Sequence, residues 1–172
     1  MRQDDSALPN RRSNNLEVDV LWCGDDFGSQ SGLMLSPELF DKYFAPRINY
    51  MFDEFSQTNP DIKLAGHSCG SVIDLIPSFI DLGLDILNPI QPLAAVMDPR
   101  WLKDTYGDKL TFFDGICVQE LLPNGTVAEI NKEVKRRIKI LGENGGYIVA
   151  PAHNIQDDTP VENSLAFFEA CR

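Results

Sequence analysis

The sequence predicts an α/β fold built on parallel β-strands. Short apolar runs alternate five times with segments of helical periodicity along the 172 residues. Strand–loop–helix repeats of this kind form parallel strands joined by right-handed crossovers, and the continuous apolarity of the runs is typical of strands buried on both faces. The repeats fit either an open doubly wound sheet or part of a (β/α)8 barrel. Because a complete barrel needs about 250 residues, the chain is too short for one.

The first unit begins with an apolar run over residues 18–23, which predicts a buried strand, and a glycine-rich turn follows over 24–28. Ser36 then supplies a helix N-cap, and the proline and glutamate directly after it favour a first helical turn. The apolar spacing predicts a long helix that ends near Asn59. Pro46 should bend or interrupt it, because proline removes a helical hydrogen bond.

The second and third units repeat this order. A strand is predicted over 62–65 and a helix over 71–81, with Gly83 as its C-terminal stop. A third strand is predicted over 86–91, and a helix over 97–106 follows it. Both units therefore carry one loop at the C-terminal end of their strand.

The fourth unit contains the clearest helix of the chain. A strand is predicted over 110–113 and a turn over 123–125. Thr126 and Glu129 then form a capping box, in which each side chain satisfies a backbone N–H of the other residue. Gly142 ends this helix.

The fifth unit closes the repeat. A short apolar strand is predicted over 147–150, and a final helix over 161–170 begins after Thr159 and Pro160. The chain is thus expected to contribute about five βα units to its sheet.

Charge and composition exclude several classes of protein. The formal net charge of −11 disfavours a nucleic-acid partner, because binding phosphates requires a basic surface. No apolar run approaches the roughly 20 residues that cross a bilayer. Residues 1–15 form a polar, irregular lead-in without the apolar core of a secretory signal, and residues 16–172 form one domain. We therefore expect a cytoplasmic protein whose four widely spaced cysteines are not a disulfide framework.

The histidines and cysteines are concentrated at the predicted C-terminal ends of the strands. Of the two histidines and four cysteines in the chain, five lie there. These five are Cys23, His67, Cys69, Cys117 and His153. Asp25, Asp26 and Asp114 lie on the same rim. Because function in parallel α/β folds resides at the carboxyl ends of the strands, this rim is the candidate site.

His67 and Cys69 are candidates for a zinc site. Zinc binds histidine nitrogen and cysteine sulfur, and a catalytic site uses three protein ligands with the fourth position open. His153 is the preferred third ligand and Cys117 the next. Zinc would lower the pKa of a substrate thiol and hold the thiolate for attack. The alternative is a hydrogen-bonded histidine beside a buried cysteine, because a single His-x-Cys pair is weak evidence.

The carboxylates of Asp25 and Asp26 also have two interpretations. They could act as general bases or orient a histidine. Alternatively, they serve only the turn, since aspartate beside glycine is common in turns. For Cys117, a small buried residue is the favoured interpretation.

Five short motifs occur in order along the chain. They are GDDFG at 24–28, HSCG at 67–70, DILNPIQ at 85–91, APAHNI at 150–155 and TPVEN at 159–163. Over residues 16–170 the chain therefore resembles the uroporphyrinogen decarboxylase superfamily. The resemblance implies a (β/α)8 barrel of about twice this length, of which the chain forms the C-terminal half.

The resemblance implies two chemistries. The decarboxylases remove carboxyl groups from the acetate side chains of a tetrapyrrole in porphyrin biosynthesis, without a metal. Related methyltransferases move a methyl group between a corrinoid protein and a thiol such as coenzyme M. They hold zinc with a His-x-Cys pair and a later cysteine or histidine. His67 and Cys69 match that pair, His153 lies near the later position, and Asn88 and Gln91 are additional candidate site residues.

Three functions follow as expectations. The first is a zinc-dependent methyltransferase whose methylcobamide is carried by a partner corrinoid protein. The second is a uroporphyrinogen decarboxylase in which Asp25 or Asp26 and His153 face the tetrapyrrole, although the arginine-rich substrate loop of those enzymes has no counterpart in the chain. The third is an inactive half-barrel, or a subunit that needs another copy or an N-terminal half to cover its bare strand edges.

Overall fold

The computed structural model describes residues 18–172, in which five parallel strands form one sheet flanked by helices. The strands are β1 (Val20–Gly24), β2 (Lys63–His67), β3 (Ile86–Asn88), β4 (Thr111–Phe113) and β5 (Tyr147–Ile148). Each strand pairs with the next one along the chain. A doubly wound sheet reverses its strand order at a switch point, whereas a barrel keeps it. The consecutive order therefore excludes the doubly wound alternative and gives part of a (β/α)8 barrel.

The described part of the chain contains seven helices, of which six connect the strands and the last follows β5. They are α1 (Pro37–Tyr43), α2 (Ala45–Thr58), α3 (Ile76–Asp81), α4 (Pro99–Tyr106), α5 (Leu121–Asn124), α6 (Val127–Leu141) and α7 (Val161–Ala170). A turn of 3-10 helix at Ile73–Leu75 precedes α3. None of these helices has both the length and the apolarity that crossing a bilayer requires. The lead-in predicted over residues 1–15 lies outside the described residues.

The first helical segment is divided in two. Ser36 caps α1 by accepting a hydrogen bond from the Leu39 N–H, as its position predicts. The chain then bends at Phe44, and Pro46 lies in the first turn of α2. Proline is tolerated there because the first N–H groups of a helix have no helical partner. Pro46 therefore interrupts the predicted helix, and Asn59 ends α2.

The second strand is longer at its C-terminal end than the sequence pattern predicts. It continues through His67, because the backbone there pairs with Gly24 on one side and Asn88 on the other. The helix predicted over 71–81 is shorter than expected: a 3-10 turn at Ile73–Leu75 replaces its first part, and α3 begins only at Ile76. This pairing fixes His67 at the end of the sheet.

The fourth and fifth units differ from prediction in detail. The capping box of Thr126 and Glu129 is present with both of its hydrogen bonds. The turn predicted over 123–125 is partly helical, because α5 includes its first two residues. The last strand pairs over only two residues, and Pro151 then makes an isolated parallel bridge to Ile116.

The two faces of the sheet are covered differently. The outer face packs against the helices through fully or nearly buried side chains such as Leu64 and Phe112. On the inner face Val20, Trp22 and Ile148 are 43%, 49% and 41% exposed.

The inner face is also concave. The ring of Trp22 on β1 contacts the ring of Phe113 on β4, with the centroids 5.4 Å apart. In a flat sheet these two strands would be about 14 Å apart, so the sheet curves as a barrel wall does.

Candidate functional site

The loop after β2 is held by hydrogen bonds to both neighbouring units. Ser68 is buried, and its hydroxyl accepts from the Phe27 N–H at 2.9 Å. Its own N–H donates to the Asn88 carbonyl at 2.7 Å. The loop therefore continues the sheet for one more residue and fixes the direction of the His67 side chain.

Gly70 closes this loop under tight steric limits. Its φ of +81° lies in the left-handed region, and a Cβ here would lie 2.5 Å from the Ser29 carbonyl oxygen. The Gly70 N–H donates to the Gln91 side-chain oxygen at 2.7 Å. The amide of Gln91 in turn contacts Gln30 and Gln119 at 3.1 and 3.3 Å. Three glutamines thus join the loops after β1, β3 and β4 around Gly70.

Three side chains of metal-binding type converge at the rim. The ligand atoms of Asp26, His67 and Cys69 all lie within 4.8 Å of one another. His67 Nε2 is 3.5 Å from Cys69 Sγ and 3.5 Å from Asp26 Oδ1. The same Asp26 oxygen accepts from the Cys69 N–H at 2.8 Å, which orients the carboxylate toward the imidazole. This is the only such group in the described part of the chain.

A series of hydrogen bonds between polar side chains begins at the other ring nitrogen of His67. Its Nδ1 is 2.6 Å from the side-chain oxygen of Asn88. The Asn88 side-chain nitrogen donates to Asp114 Oδ2 at 2.5 Å. Asn88 and Asp114 are only 2% and 7% exposed. The Tyr147 hydroxyl donates to the Asp114 carbonyl at 2.7 Å, so this series of hydrogen bonds extends from β2 to β5.

Burial changes the acidity of two groups at the site. It raises the pKa of Asp114 to about 6, although the hydrogen bond from Asn88 and the nearby His67 and His153 oppose this increase. Burial also raises the pKa of the Cys69 thiol above its ordinary value, and the negative charges of Asp26 and Asp114 raise it further. Without a cation nearby, Cys69 is therefore a neutral thiol at neutral pH.

The site opens onto a cleft of about 520 Å³ on the inner face of the sheet. Its lining residues come from the strand ends and the loop after β5: Trp22, His67, Asn88, Asp114, Ala150, Pro151, Ala152, His153, Asn154 and Ile155. No arginine or lysine is among those lining residues in the described range. The exposed side chain of His153 lies on this cleft, but the group of three converging ligand atoms contains Asp26 in its place.

The other candidate residues lie apart from this group. Asp25 donates its backbone N–H to the His67 carbonyl at 3.1 Å and lines a second, largely apolar cavity of about 220 Å³, which His67 also lines. Cys117 is buried, and its sulfur accepts from the Glu120 N–H at 3.4 Å. Cys23 lies on the outer face, where its thiol donates to the Ala65 carbonyl at 3.6 Å.

The sequence pattern assigns no role to two residues of the cleft, Trp22 and Asp114. Trp22 belongs to no motif, and only its exposure on the inner face shows its position. Asp114 is placed on the rim without a role. Its φ of +82°, unusual for a residue other than glycine, was not visible in the sequence, although the adjacent Gly115 was a signal for a turn.

The donor set is suited to zinc. For tetrahedral zinc, usual bond lengths give ligand separations of about 3.3 Å between nitrogen and oxygen and about 3.5 Å between nitrogen and sulfur. The separations from His67 Nε2 to Asp26 and Cys69 are both 3.5 Å. Asp26, His67 and Cys69 could therefore hold the ion and leave one position open.

Known proteins match this chain over most of its length. It is 29% identical over 138 residues to a uroporphyrinogen decarboxylase of Carboxydothermus hydrogenoformans, a match that covers 78% of this chain and 36% of the relative. It is 26% identical over 154 residues to a methylated-thiol–coenzyme M methyltransferase of Methanosarcina mazei, covering 89% and 37% of the two chains. The chain thus spans little more than a third of the length of these curated relatives.

A solved structure shares the fold. A methyltransferase from Methanosarcina mazei aligns with a TM-score of 0.68 at 23% identity, covering 88% of this chain and 41% of that one. The family model described as uroporphyrinogen decarboxylase (URO-D) matches residues 15–172. Given that match and the consecutive parallel strands of a partial barrel, the chain belongs to the uroporphyrinogen decarboxylase family.

Proposed function

We propose that this chain is the metal-binding part of a zinc-dependent methyltransferase that transfers a methyl group from a corrinoid to a thiol. The convergence of Asp26, His67 and Cys69 within 4.8 Å carries this proposal. The similarity to a protein named for methyl transfer to coenzyme M supports it. The methyl donor would be a methylcobamide held by a partner corrinoid protein, and the cleft at the carboxyl ends of the strands would receive both substrates.

The proposal assigns a role to each residue of the group. His67 offers Nε2, Cys69 offers its sulfur, and Asp26 offers the carboxylate that the Cys69 N–H already orients. We propose Asp26 as the third ligand in place of His153, which would contact the substrate from the loop after β5. When bound, zinc would supply the positive charge that keeps a substrate thiol ionised at neutral pH.

Metal analysis of the purified protein tests the proposal. We expect close to one zinc per chain in the wild type and a large loss in Cys69→Ser, because serine is a poor zinc ligand. Cys171→Ser is the matched control, since Cys171 is half-buried on the last helical turn and outside the group. A wild type that binds no zinc, or a Cys69→Ser variant that keeps it, would contradict the proposal.

A metal-free decarboxylase is the competing function, because the relative from C. hydrogenoformans carries that name. Uroporphyrinogen is a polyanion, and cationic side chains would be expected around it. The described lining of the cleft contains neither arginine nor lysine, which favours the methyltransferase. Turnover of uroporphyrinogen in the presence of a metal chelator would reverse this preference.

A further inference from the structure

We propose that Asp114, acting through Asn88, sets the tautomer of His67, so that Nδ1 carries the proton and Nε2 keeps its lone pair. Asp114 is thus a positioning residue for the group of Asp26, His67 and Cys69. The inference concerns the metal-free protein. Only its consequence for zinc affinity rests on the proposed function.

The first step is the orientation of the Asn88 amide. An ionised carboxylate only accepts hydrogen bonds, so Asp114 Oδ2 requires the NH2 group of Asn88, which lies 2.5 Å away. The reversed amide would direct its carbonyl oxygen at the carboxylate. Because both residues are almost fully buried, a contact between two acceptors would be costly there.

The second step is the proton on the imidazole. With the NH2 group committed to Asp114, Asn88 presents its carbonyl oxygen to His67 at 2.6 Å. A contact this short requires a donor, so Nδ1 must carry the hydrogen. In a neutral imidazole the other nitrogen is then an acceptor, and it faces the Cys69 sulfur and the Asp26 carboxylate.

Asp26 favours the opposite tautomer but is the weaker partner. Its oxygen is 3.5 Å from Nε2, beyond a good hydrogen bond, and its side chain is 51% exposed. The Asn88 contact is nearly 1 Å shorter, and Asn88 itself is buried. The buried partner should therefore decide where the proton resides.

The backbone holds Asp114 in place for this role. Its N–H donates to the Ile148 carbonyl at 2.9 Å, and its carbonyl accepts from the Tyr147 hydroxyl. Its φ of +82° is unfavourable for any residue with a side chain. This backbone conformation directs the Asp114 carboxylate at Asn88, from which it accepts its hydrogen bond.

Nitrogen NMR on 15N-histidine-labelled protein tests the inference, because the chain contains only two histidines. His153→Gln assigns the two rings. In chelator-treated wild type at pH 8.5, we expect His67 to show a protonated Nδ1 and an unprotonated Nε2. Finding the proton on Nε2 would overturn the inference.

Two variants test the part played by Asp114. In Asp114→Asn the new side-chain amide can donate as well as accept, so it can pair with either orientation of the Asn88 amide. We therefore expect a mixture of His67 tautomers. Asp85→Asn is the matched control: its carboxylate accepts from the Leu64 N–H at the other end of the strands and should leave His67 unchanged. An Asp114→Asn spectrum identical to that of the wild type would also overturn the inference.

Zinc affinity gives a second measurement. If the proposed function is correct, Asp114→Asn should weaken zinc binding roughly 10- to 100-fold, as is usual for residues that orient a ligand. The tautomer experiment needs no metal. A wild type that binds no zinc but shows the Nδ1–H tautomer would refute the proposed function and leave this inference standing.

Discussion

The raised pKa of the Cys69 thiol should make metal binding depend on pH. Burial and the charges of Asp26 and Asp114 raise the pKa of its thiol, so the sulfur carries a proton in the metal-free protein at neutral pH. In the proposed zinc site the ion would bind the thiolate, so that proton would leave when the ion enters.

We therefore predict the release of about one proton per zinc bound near pH 7. Titration calorimetry in buffers of different ionisation enthalpy measures this number. Cys69→Ser should release far less at whatever occupancy it reaches, whereas Cys171→Ser should match the wild type. Zinc binding without proton release would show that Cys69 is not a ligand.

Asp114 should make stability depend on pH. Its pKa is raised from 3.8 to about 6 in the folded chain. As the pH rises, the Asp114 carboxyl therefore ionises at a lower pH in the unfolded chain than in the folded one. Stability therefore falls between about pH 4 and 6 and the loss is constant above that window. Burying this charge costs up to about 3 kcal/mol at neutral pH.

Asp114→Asn has no such ionisation, and its stability relative to the wild type should rise across this window. Urea denaturation of the metal-free proteins at pH 4.5 and 7.5 measures the difference. Relative to the wild type, the variant should gain stability at pH 7.5 and gain little at pH 4.5. A difference in stability that is the same at both pH values would contradict the assignment of the raised pKa to Asp114.

At the scale of elements, the loop after β2 depends on the space around Gly70. Gly70 and Gly83 both have φ in the left-handed region, at +81° and +91°. A Cβ at Gly83 meets nothing within 4 Å, whereas one at Gly70 would lie 2.5 Å from the Ser29 carbonyl oxygen. The two positions therefore separate backbone strain from steric contact.

We predict that Gly83→Ala costs about 1–2 kcal/mol, the strain of a left-handed alanine alone. Gly70→Ala should cost more, because the backbone of two loops must also shift. Chemical denaturation measures both, and only Gly70→Ala should lower zinc affinity, since it displaces Cys69. Equal losses of stability, with zinc affinity intact in both, would contradict the steric argument.

Elements also show which features are locally encoded. The capping box of Thr126 and Glu129, the end of α2 at Asn59 and the helix stop at Gly83 depend on neighbours within a few residues, and the sequence predicts them. The C-terminal end of β2 does not follow from local pattern. Its last residue, His67, is held by pairing with strands 43 positions earlier and 21 positions later in the sequence.

At the scale of the molecule, the inner face of the described sheet carries exposed apolar side chains. Val20, Trp22 and Ile148 are partly exposed there, and β1 and β5 are the edge strands among the described residues. Exposed apolar surface beside an open strand edge favours association. We propose that a second copy of the chain covers this face.

We predict that the chain associates in a concentration-dependent way, which light scattering after size-exclusion chromatography would detect. Val20→Lys places a charge on the inner face and should lower the associated fraction. Val161→Lys is the matched control, because Val161 is 72% exposed on an outer helix. Unchanged association in Val20→Lys would show that this face is not the contact.

The sequence by itself predicted the order of strands and helices along the chain, the part-barrel fold, the family and the rim on which the candidate site residues lie. Each of these depends on local periodicity, on capping residues or on short motifs. Only the tertiary structure decided which rim residues meet. Asp26, and not Asp25 or His153, joins His67 and Cys69, because sheet curvature and loop geometry set distances that spacing along the chain does not contain. It also decided that Asp114 is buried beneath Asn88, since burial is a property of the packed sheet.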